Sequence, residues 1–289
     1  MQLPAAAKLR AIKDQVQALP DEGLRHPLGI YNVSVQTVVA AASHLLDELE
    51  KTFPLVGEEA ADRVLRAEGL RQATRQFLLA NAEHVDACEK ILKCYFASKG
   101  DAEYAKAKRE LRSNLAWYGR HVMTQANHLK HRQAQVRSLS LYTDQLAAPG
   151  YFVESQIAPD VVGPDPIVHD GKNAGFSYSR QLRVFICGLF YVSRTLSVFL
   201  SGRKPDEVSS NSETPGLGGL IERIASFPDF MFPDEYGQPY AGVHSSKNNF
   251  VISYGLKKSV APPYSRAQFK MGLGGDGVTR SFQVPYLRG

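Results

Sequence analysis

The stretch VFICGLFYVSRTLSVFL, residues 184–200, decides the fold class because it is apolar on nearly all sides. A helix of this kind lies in the middle of a helical bundle, where every side of it meets another element. The stretch is at the short limit for a bilayer span, and Arg194 places a charge inside it. We therefore predict a buried core helix from about Tyr178 to Leu200 and no membrane partner.

The overall composition is that of a globular protein. A chain of 289 residues with 44% hydrophobic and 22% charged residues can form one large domain or two small ones. Its net charge of +5 favours a polyanionic partner only mildly. The three cysteines form no close pair and no CxxC motif, so we predict reduced thiols. The first residues lack the apolar core of a signal peptide, and together these features predict a cytoplasmic protein.

Three further helices are predicted before the apolar stretch. Apolar residues recur at helical spacing across residues 34–52, with Ser34 as a candidate cap. A second helix is expected over about residues 58–98. A third is expected over about 101–146, in which Gly119 is a candidate bend. Proline, glycine and aspartate then dominate residues 150–176, a composition that predicts loops with one or two short strands.

The predicted fold class is mainly α, a helical bundle with long antiparallel helices plus a smaller C-terminal α+β appendage. The bundle takes residues 1–200, and residues 201–219 have the composition of a linker. Residues 220–289 are expected to form a small mixed, β-rich region. From residue 237 onwards this region carries seven basic residues, one acid and interleaved aromatic rings. That combination fits either single-stranded nucleic acid binding or the small core of a strand unit.

The third helix carries the candidate functional residues within RHVMTQANHLKHRQ, residues 120–133. At 100° per residue its apolar side chains fall in one sector, and Arg120, Asn127 and His131 fall together on the opposite side. Residues 105–137 include eight basic residues and a single acid, Glu110. Solvent-facing helix surfaces usually mix the two signs, so this surface is typical of one that binds a phosphate backbone. The expected nucleic-acid contacts are Arg109, Arg112, His128, Lys130, Arg132 and Arg137.

The histidines have three interpretations. His128 and His131 could share a metal ion, but no nearby carboxylate or thiolate completes a ligand set, and we predict no metal and no cofactor. A histidine beside an arginine also suits RNA cleavage, as a proton acceptor or donor next to a charge that stabilises the phosphorane. Alternatively, the histidines only form hydrogen bonds to their neighbours. His169 and Asp170, in the middle loop, are further candidates for a functional site.

The string Asn127-His128-Leu129-Lys130-His131-Arg132, on a helix of a mainly helical chain, resembles the HEPN superfamily. Many members of that superfamily are prokaryotic ribonucleases of toxin and phage-defence systems. The resemblance implies a four- or five-helix bundle, a homodimer or subunit of a larger complex, and metal-independent cleavage of RNA. It also implies His131 as the acid/base, Asn127 as its polar neighbour and Arg120 as the cation that faces the phosphate.

The third helix departs from the family pattern, in which an arginine stands four to six residues before the histidine. Ten residues separate Arg120 from His131, which places them about 16 Å apart along the helix axis. A partner subunit would therefore have to supply the second group. The alternative to an endoribonuclease is a non-catalytic subunit that binds nucleic acid or protein through the same surface.

Overall fold

The computed structural model describes residues 3–16, 26–52, 60–96, 102–142, 147–169, 175–201, 213–246, 249–256, 264–271 and 279–287. The helices are α1 (Pro4–Ala11), α2 (Pro27–Thr52), α3 (Ala60–Lys93), α4 (Ala102–Asn114), α5 (Ala116–His131), α6 (Tyr178–Ser201) and α7 (Leu217–Ser226). The strands are β1 (Gln135–Tyr142), β2 (Ala147–Ala158), β3 (Val161–Pro164), β4 (Phe176–Ser177), β5 (Pro239–Ser246), β6 (Asn249–Leu256), β7 (Tyr264–Met271) and β8 (Thr279–Leu287). The chain is mainly helical, as the sequence predicted.

Within the described ranges, two sheets accompany the helices. The larger one has the order β1-β2-β3-β8-β7, with β4 paired to β2, and β5 and β6 form a separate hairpin. Neighbouring strands are antiparallel except for β3 and β8, which are parallel. Because β8 comes from the predicted C-terminal region and β3 from the predicted bundle, strands of both regions share one sheet. The division at residues 201 and 220 stays a prediction.

The apolar stretch forms the core helix α6, as its composition predicted. Gly188 lets the ring of Tyr118 in α5 pack directly against the α6 backbone, where an added Cβ would overlap that ring. Within the described part of the chain, α6 is the one helix long and apolar enough to cross a membrane. It also carries buried Arg183, whose guanidinium donates to the backbone carbonyls of Ser179 and Phe227. A buried arginine whose guanidinium is hydrogen-bonded within the protein is consistent with a core helix.

The third predicted helix ends earlier than expected. α5 stops at His131, and the residues that follow form β1 instead of continuing the helix to residue 146. Gln133 has a φ of 53°, and the N–H of Ala134 donates to the carbonyl of His128. This is the turn that usually carries a glycine after a helix, so the residue type gave no stop signal. The helix is interrupted at Leu115, between α4 and α5, and Gly119 lies within α5.

Two other local expectations were wrong in detail. α2 begins at Pro27, so Ser34 lies inside this helix, where its hydroxyl donates to the carbonyl of Tyr31 and contacts the ring of His84. Residues 147–164 contain a strand of 12 residues and one of 4, which is more strand than the sequence indicated. Residues 202–212 of the predicted linker lie outside the described residues, and α7 begins at Leu217.

Candidate functional site

A polar pocket of about 430 Å³ lies where α5, α6, β4 and the turn after β3 meet. Four of its lining side chains can carry chemistry, namely Arg120 and His121 from α5, His169 from the turn and Arg180 from α6. None of the residues that line it is acidic, in the part of the chain that the structure describes. The pocket therefore combines two cations with two imidazole rings.

Asp165 shapes the turn that presents His169 to the pocket. Its Oδ1 accepts the backbone N–H groups of Ile167 and Val168 at 2.9 and 3.0 Å, and its carbonyl accepts the N–H of His169. Its Oδ2 lies 2.7 Å from Nδ1 of His128 in α5. Burial acts to raise the pKa of Asp165, but the hydrogen bonds it accepts outweigh burial and hold that pKa below its ordinary value. The carboxylate thus joins the turn to α5.

His169 is buried and keeps one ring nitrogen without a partner. Its Nε2 accepts the backbone N–H of Val153 at 3.0 Å, so the ring proton lies on Nδ1. That Nδ1 has no hydrogen-bond partner among the described residues. The ring stacks on Phe176, with centroids 4.7 Å apart. Because burial lowers the pKa of His169 to about 4, the ring is neutral at pH 7 and presents an unsatisfied N–H.

His121 contacts the same Phe176 ring edge-on, with centroids 5.4 Å apart. Its Nε2 lies 2.8 Å from Oε1 of Gln181 and 3.2 Å from the amide nitrogen of Gln125. We assign the ring proton to Nε2 on the shorter contact, which leaves Nδ1 as the acceptor. Gln125 donates to the His121 carbonyl and accepts from the hydroxyl of Tyr151, which fixes its own position. Burial lowers the pKa of His121 to about 4 against the opposing effect of the Gln181 hydrogen bond. His121 is therefore also neutral at pH 7.

The two arginines of the pocket differ in how they are held. Arg180 is buried, donates through Nε to the carbonyl of Pro239 at 2.9 Å and has its Nη1 3.8 Å from Oε1 of Glu235. Glu235 is fully buried, and burial raises its pKa although it accepts two backbone N–H groups. Arg120 is exposed and forms no ion pair with any described residue. The guanidinium of Arg120 is thus the solvent-exposed positive charge of the pocket.

The structure does not bring the three predicted catalytic residues together. Arg120, Asn127 and His131 are all exposed on one side of α5, as the helical spacing predicted. Arg120 lines the polar pocket, whereas Asn127 and His131 lie further along the helix and do not line it. The histidine that accompanies Arg120 is its neighbour His121.

Several predicted nucleic-acid contacts are paired with acids from other elements. Arg112 forms an ion pair with Glu89, and Lys130 lies 3.5 Å from Glu83, both acids belonging to α3. Arg137 pairs at 2.8 Å with a buried carboxylate of β2. The basic surface is therefore less free of acid than the sequence of the third helix alone indicated.

Of the remaining predicted nucleic-acid-binding residues, two lie at the surface and one lies in the core. Arg109 and Arg132 are exposed and have no ion-pair partner among the described residues. His128 is only 5% exposed, and its Nδ1 is bonded to Asp165. Its ring is therefore part of the core and is not presented to a polymer at the surface. Asp170 lies outside the described residues.

No group of three or more His, Cys, Asp or Glu side chains in the described ranges could hold a metal ion. Sequence reasoning identified Arg120 and His169 but gave no role to His121, Gln181 or Arg180. The one available signal was that His121 lies between the apolar and polar sectors of its helix.

Comparisons with known proteins found no relative. No protein-family model matches the chain, and no curated protein or solved structure matches it. The geometry of the polar pocket and of the α5 surface is therefore the basis for a functional interpretation.

Proposed function

We propose that this chain engages RNA or another polyanion and that the polar pocket receives one of its phosphates. The observation that carries this proposal is the Nδ1–H of His169, a buried donor without a described partner, on a residue that lines the same pocket as Arg120 and Arg180. A buried unsatisfied donor costs about 1–3 kcal/mol, which a bound acceptor would recover. The absence of acid from the described lining favours an anion over a cation.

The proposed reaction is metal-independent cleavage of RNA at that phosphate. Neutral His121 accepts the proton of the ribose 2′-hydroxyl on Nδ1 while the 2′-oxygen attacks the phosphorus. Arg120 and the His169 N–H stabilise the charge that builds on the nonbridging oxygens. The imidazolium of His121 then returns its proton to the leaving 5′-oxygen. The products are a 2′,3′-cyclic phosphate and a 5′-hydroxyl.

Binding without cleavage is the second candidate function, and the low pKa values of the two histidines favour it. Because the pKa of His121 and that of His169 are about 4, neither ring carries an extra proton at pH 7. A bound phosphate would raise both pKa values, since a nearby anion stabilises an imidazolium. Cleavage thus depends on occupancy of the pocket, whereas binding requires only the neutral donors and the arginines.

We further propose an arrangement of the helices and a biological setting for this chain. The extensive packing of α2 against α3 supports a bundle of long antiparallel helices, the arrangement that the resemblance to the HEPN superfamily implies. In that setting the protein is a toxin or phage-defence ribonuclease that acts as a homodimer or within a larger complex. Its three cysteines are free and buried, which supports the proposed cytoplasmic location.

The test is cleavage of a labelled single-stranded RNA with EDTA present. Wild type is compared with Arg120→Ala, His121→Gln and His131→Ala at equal concentration. We expect Arg120→Ala and His121→Gln to lose about 100-fold or more in rate, and His131→Ala to keep its activity because its side chain lies outside the pocket. Urea unfolding of each variant separates a lost reaction from a lost fold.

A salt-titrated binding assay on the same samples tests the RNA interaction itself. Wild-type affinity should fall as salt rises, because counterions are released when phosphates are neutralised. A wild type without RNA affinity at low salt overturns the proposal. Loss of cleavage in His131→Ala but not in Arg120→Ala would move the chemistry to the exposed surface of α5.

A further inference from the structure

The polar pocket adjoins a cluster of aromatic rings that the proposed reaction does not use. Trp117, which lines the pocket, packs against Tyr254 of β6 with ring centroids 4.7 Å apart and ring planes 37° apart. Tyr191 of α6 meets Trp117 edge-on at 5.4 Å, and its hydroxyl donates to the carbonyl of Asn114 at 3.0 Å. Residues of α5, α6 and β6 therefore build one aromatic surface next to the pocket.

Tyr254 is the exposed member of this cluster. It is 45% exposed although it packs on Trp117, so part of its ring surface remains open to solvent. Burial raises the pKa of Tyr254, and the positive charge of Arg180 acts in the opposite direction. Trp117, on which Tyr254 packs, lines the same pocket as Arg180. An open aromatic ring thus stands beside a site with two arginines.

We propose that Trp117 and Tyr254 form a stacking platform for a nucleobase, so that the site takes one nucleotide of a single-stranded RNA. This inference rests on the proposed function, because the phosphate of that nucleotide is the one held by Arg120 and His169. A base stacks on an aromatic ring whatever its sequence, since every base has a π face. Bases within a duplex are already stacked on one another, so the platform selects an unpaired strand.

Packing alone accounts for Trp117 but not for Tyr254. Trp117 and Tyr191 hold α5 against α6, and burial of their rings stabilises that contact. Tyr254 leaves nearly half of its surface in water, where a large aromatic ring contributes less to the fold. Val251, on the same strand and 56% exposed, offers a matched position that carries no ring.

The experiment uses Trp117 as its reporter, because it is the only tryptophan in the sequence. The probes are a single-stranded RNA with 2′-O-methyl groups, which cannot be cleaved, an abasic ribose-phosphate oligomer of equal length, and inorganic phosphate. We expect the RNA to quench Trp117 fluorescence and to bind at least about fivefold more tightly than the abasic oligomer. Tyr254→Ala should remove that difference, and Val251→Ala should preserve it.

The outcomes separate the platform from the phosphate site. Equal affinity for RNA and the abasic oligomer, or unchanged RNA affinity in Tyr254→Ala, overturns the platform while phosphate binding survives. No binding of any probe by wild type overturns the phosphate site and the platform with it. Tyr254→Phe keeps the ring and should bind RNA like wild type. A defect in Tyr254→Phe as large as that in Tyr254→Ala would assign the effect to the hydroxyl and contradict stacking.

Discussion

Replacing Gly188 with alanine should destabilise the protein, although a helix interior intrinsically favours alanine. Gly188 of α6 faces the ring of Tyr118, and an alanine Cβ would lie closer than 3.0 Å to three atoms of that ring. The ring cannot move aside without loss, because it is buried and its hydroxyl donates to Oδ1 of Asn81 at 2.9 Å. It also packs edge-on against Phe185, with centroids 5.9 Å apart.

Opposing contributions set the size of the effect. Alanine in place of glycine favours a helix interior by about 1 kcal/mol. Overpacking of a close-packed core costs about 1–3 kcal/mol, and displacement of Tyr118 from Asn81 adds about 1 kcal/mol for the lost hydrogen bond. We therefore expect Gly188→Ala to lower the free energy of unfolding by about 1–3 kcal/mol.

The assay is urea unfolding followed by circular dichroism, with Gly119→Ala as the matched control. Gly119 also lies inside a helix, but nothing stands within 4 Å of a Cβ added there, so alanine should stabilise the protein by up to about 1 kcal/mol. A Gly188→Ala midpoint at or above that of wild type, with Gly119→Ala behaving as expected, would refute the packing argument.

Three further perturbations test the buried polar groups. Burial holds the pKa of His84 and that of His169 at about 4, below the 6.5 of an unfolded chain. As the pH falls below 6.5, the histidines of the unfolded state therefore bind protons before those of the folded state. The free energy of unfolding should decrease by roughly 3 kcal/mol per histidine at pH 4. Urea midpoints that stay constant between pH 6.5 and pH 4 would contradict this prediction. Asp165→Asn removes the carboxylate that is hydrogen-bonded to a buried imidazole of α5, so the free energy of unfolding should decrease by about 1–3 kcal/mol. An unchanged urea midpoint would contradict this expectation. Ser193→Ala leaves the Tyr31 hydroxyl and a backbone N–H of α1 without their shared partner. This variant should lower the free energy of unfolding by about 1–3 kcal/mol and make α1 more susceptible to protease. A digestion pattern identical to that of wild type would show that Ser193 does not hold α1 in place.

Helices that a local apolar pattern specifies could be predicted from the sequence. Elements that depend on contacts with residues distant in the chain could not. Most of α2 and α6 was predictable because the apolar pattern of residues 34–52 and the apolar composition of residues 184–200 indicate helices without reference to the rest of the chain. The end of α5 was not, because Gln133 adopts a left-handed conformation without being a glycine. The residues after α5 form β1 because β2 pairs with them over their whole length. No local feature of residues 135–142 indicates that pairing.

The candidate site also has features that the sequence predicts and features that depend on distant contacts. The exposure of Arg120, Asn127 and His131 follows from helical geometry, so the sequence placed them correctly on one side of α5. The polar role of His121 depends on Gln181 and Phe176, which α6 and β4 bring to it from 55 to 60 positions along the chain. A helical wheel contains no information about those contacts. Resemblance to the HEPN superfamily stays a prediction, as does the RNA that it implies.

Buried donors without partners provide the physical argument for the proposed anionic ligand. The Nδ1 of His169 and the Nε2 of Gln181 are both buried and have no hydrogen-bond partner among the described residues. His169 lines the polar pocket, and Gln181 contacts His121, which also lines it. Folded proteins keep few such groups, and each costs about 1–3 kcal/mol. An apolar ligand would leave both unsatisfied and a cation would be repelled by Arg120, whereas phosphate oxygens accept from donors of both kinds. Under the proposed function, a phosphate that accepted from these donors would recover this free energy on binding, which is the physical reason for proposing an anion.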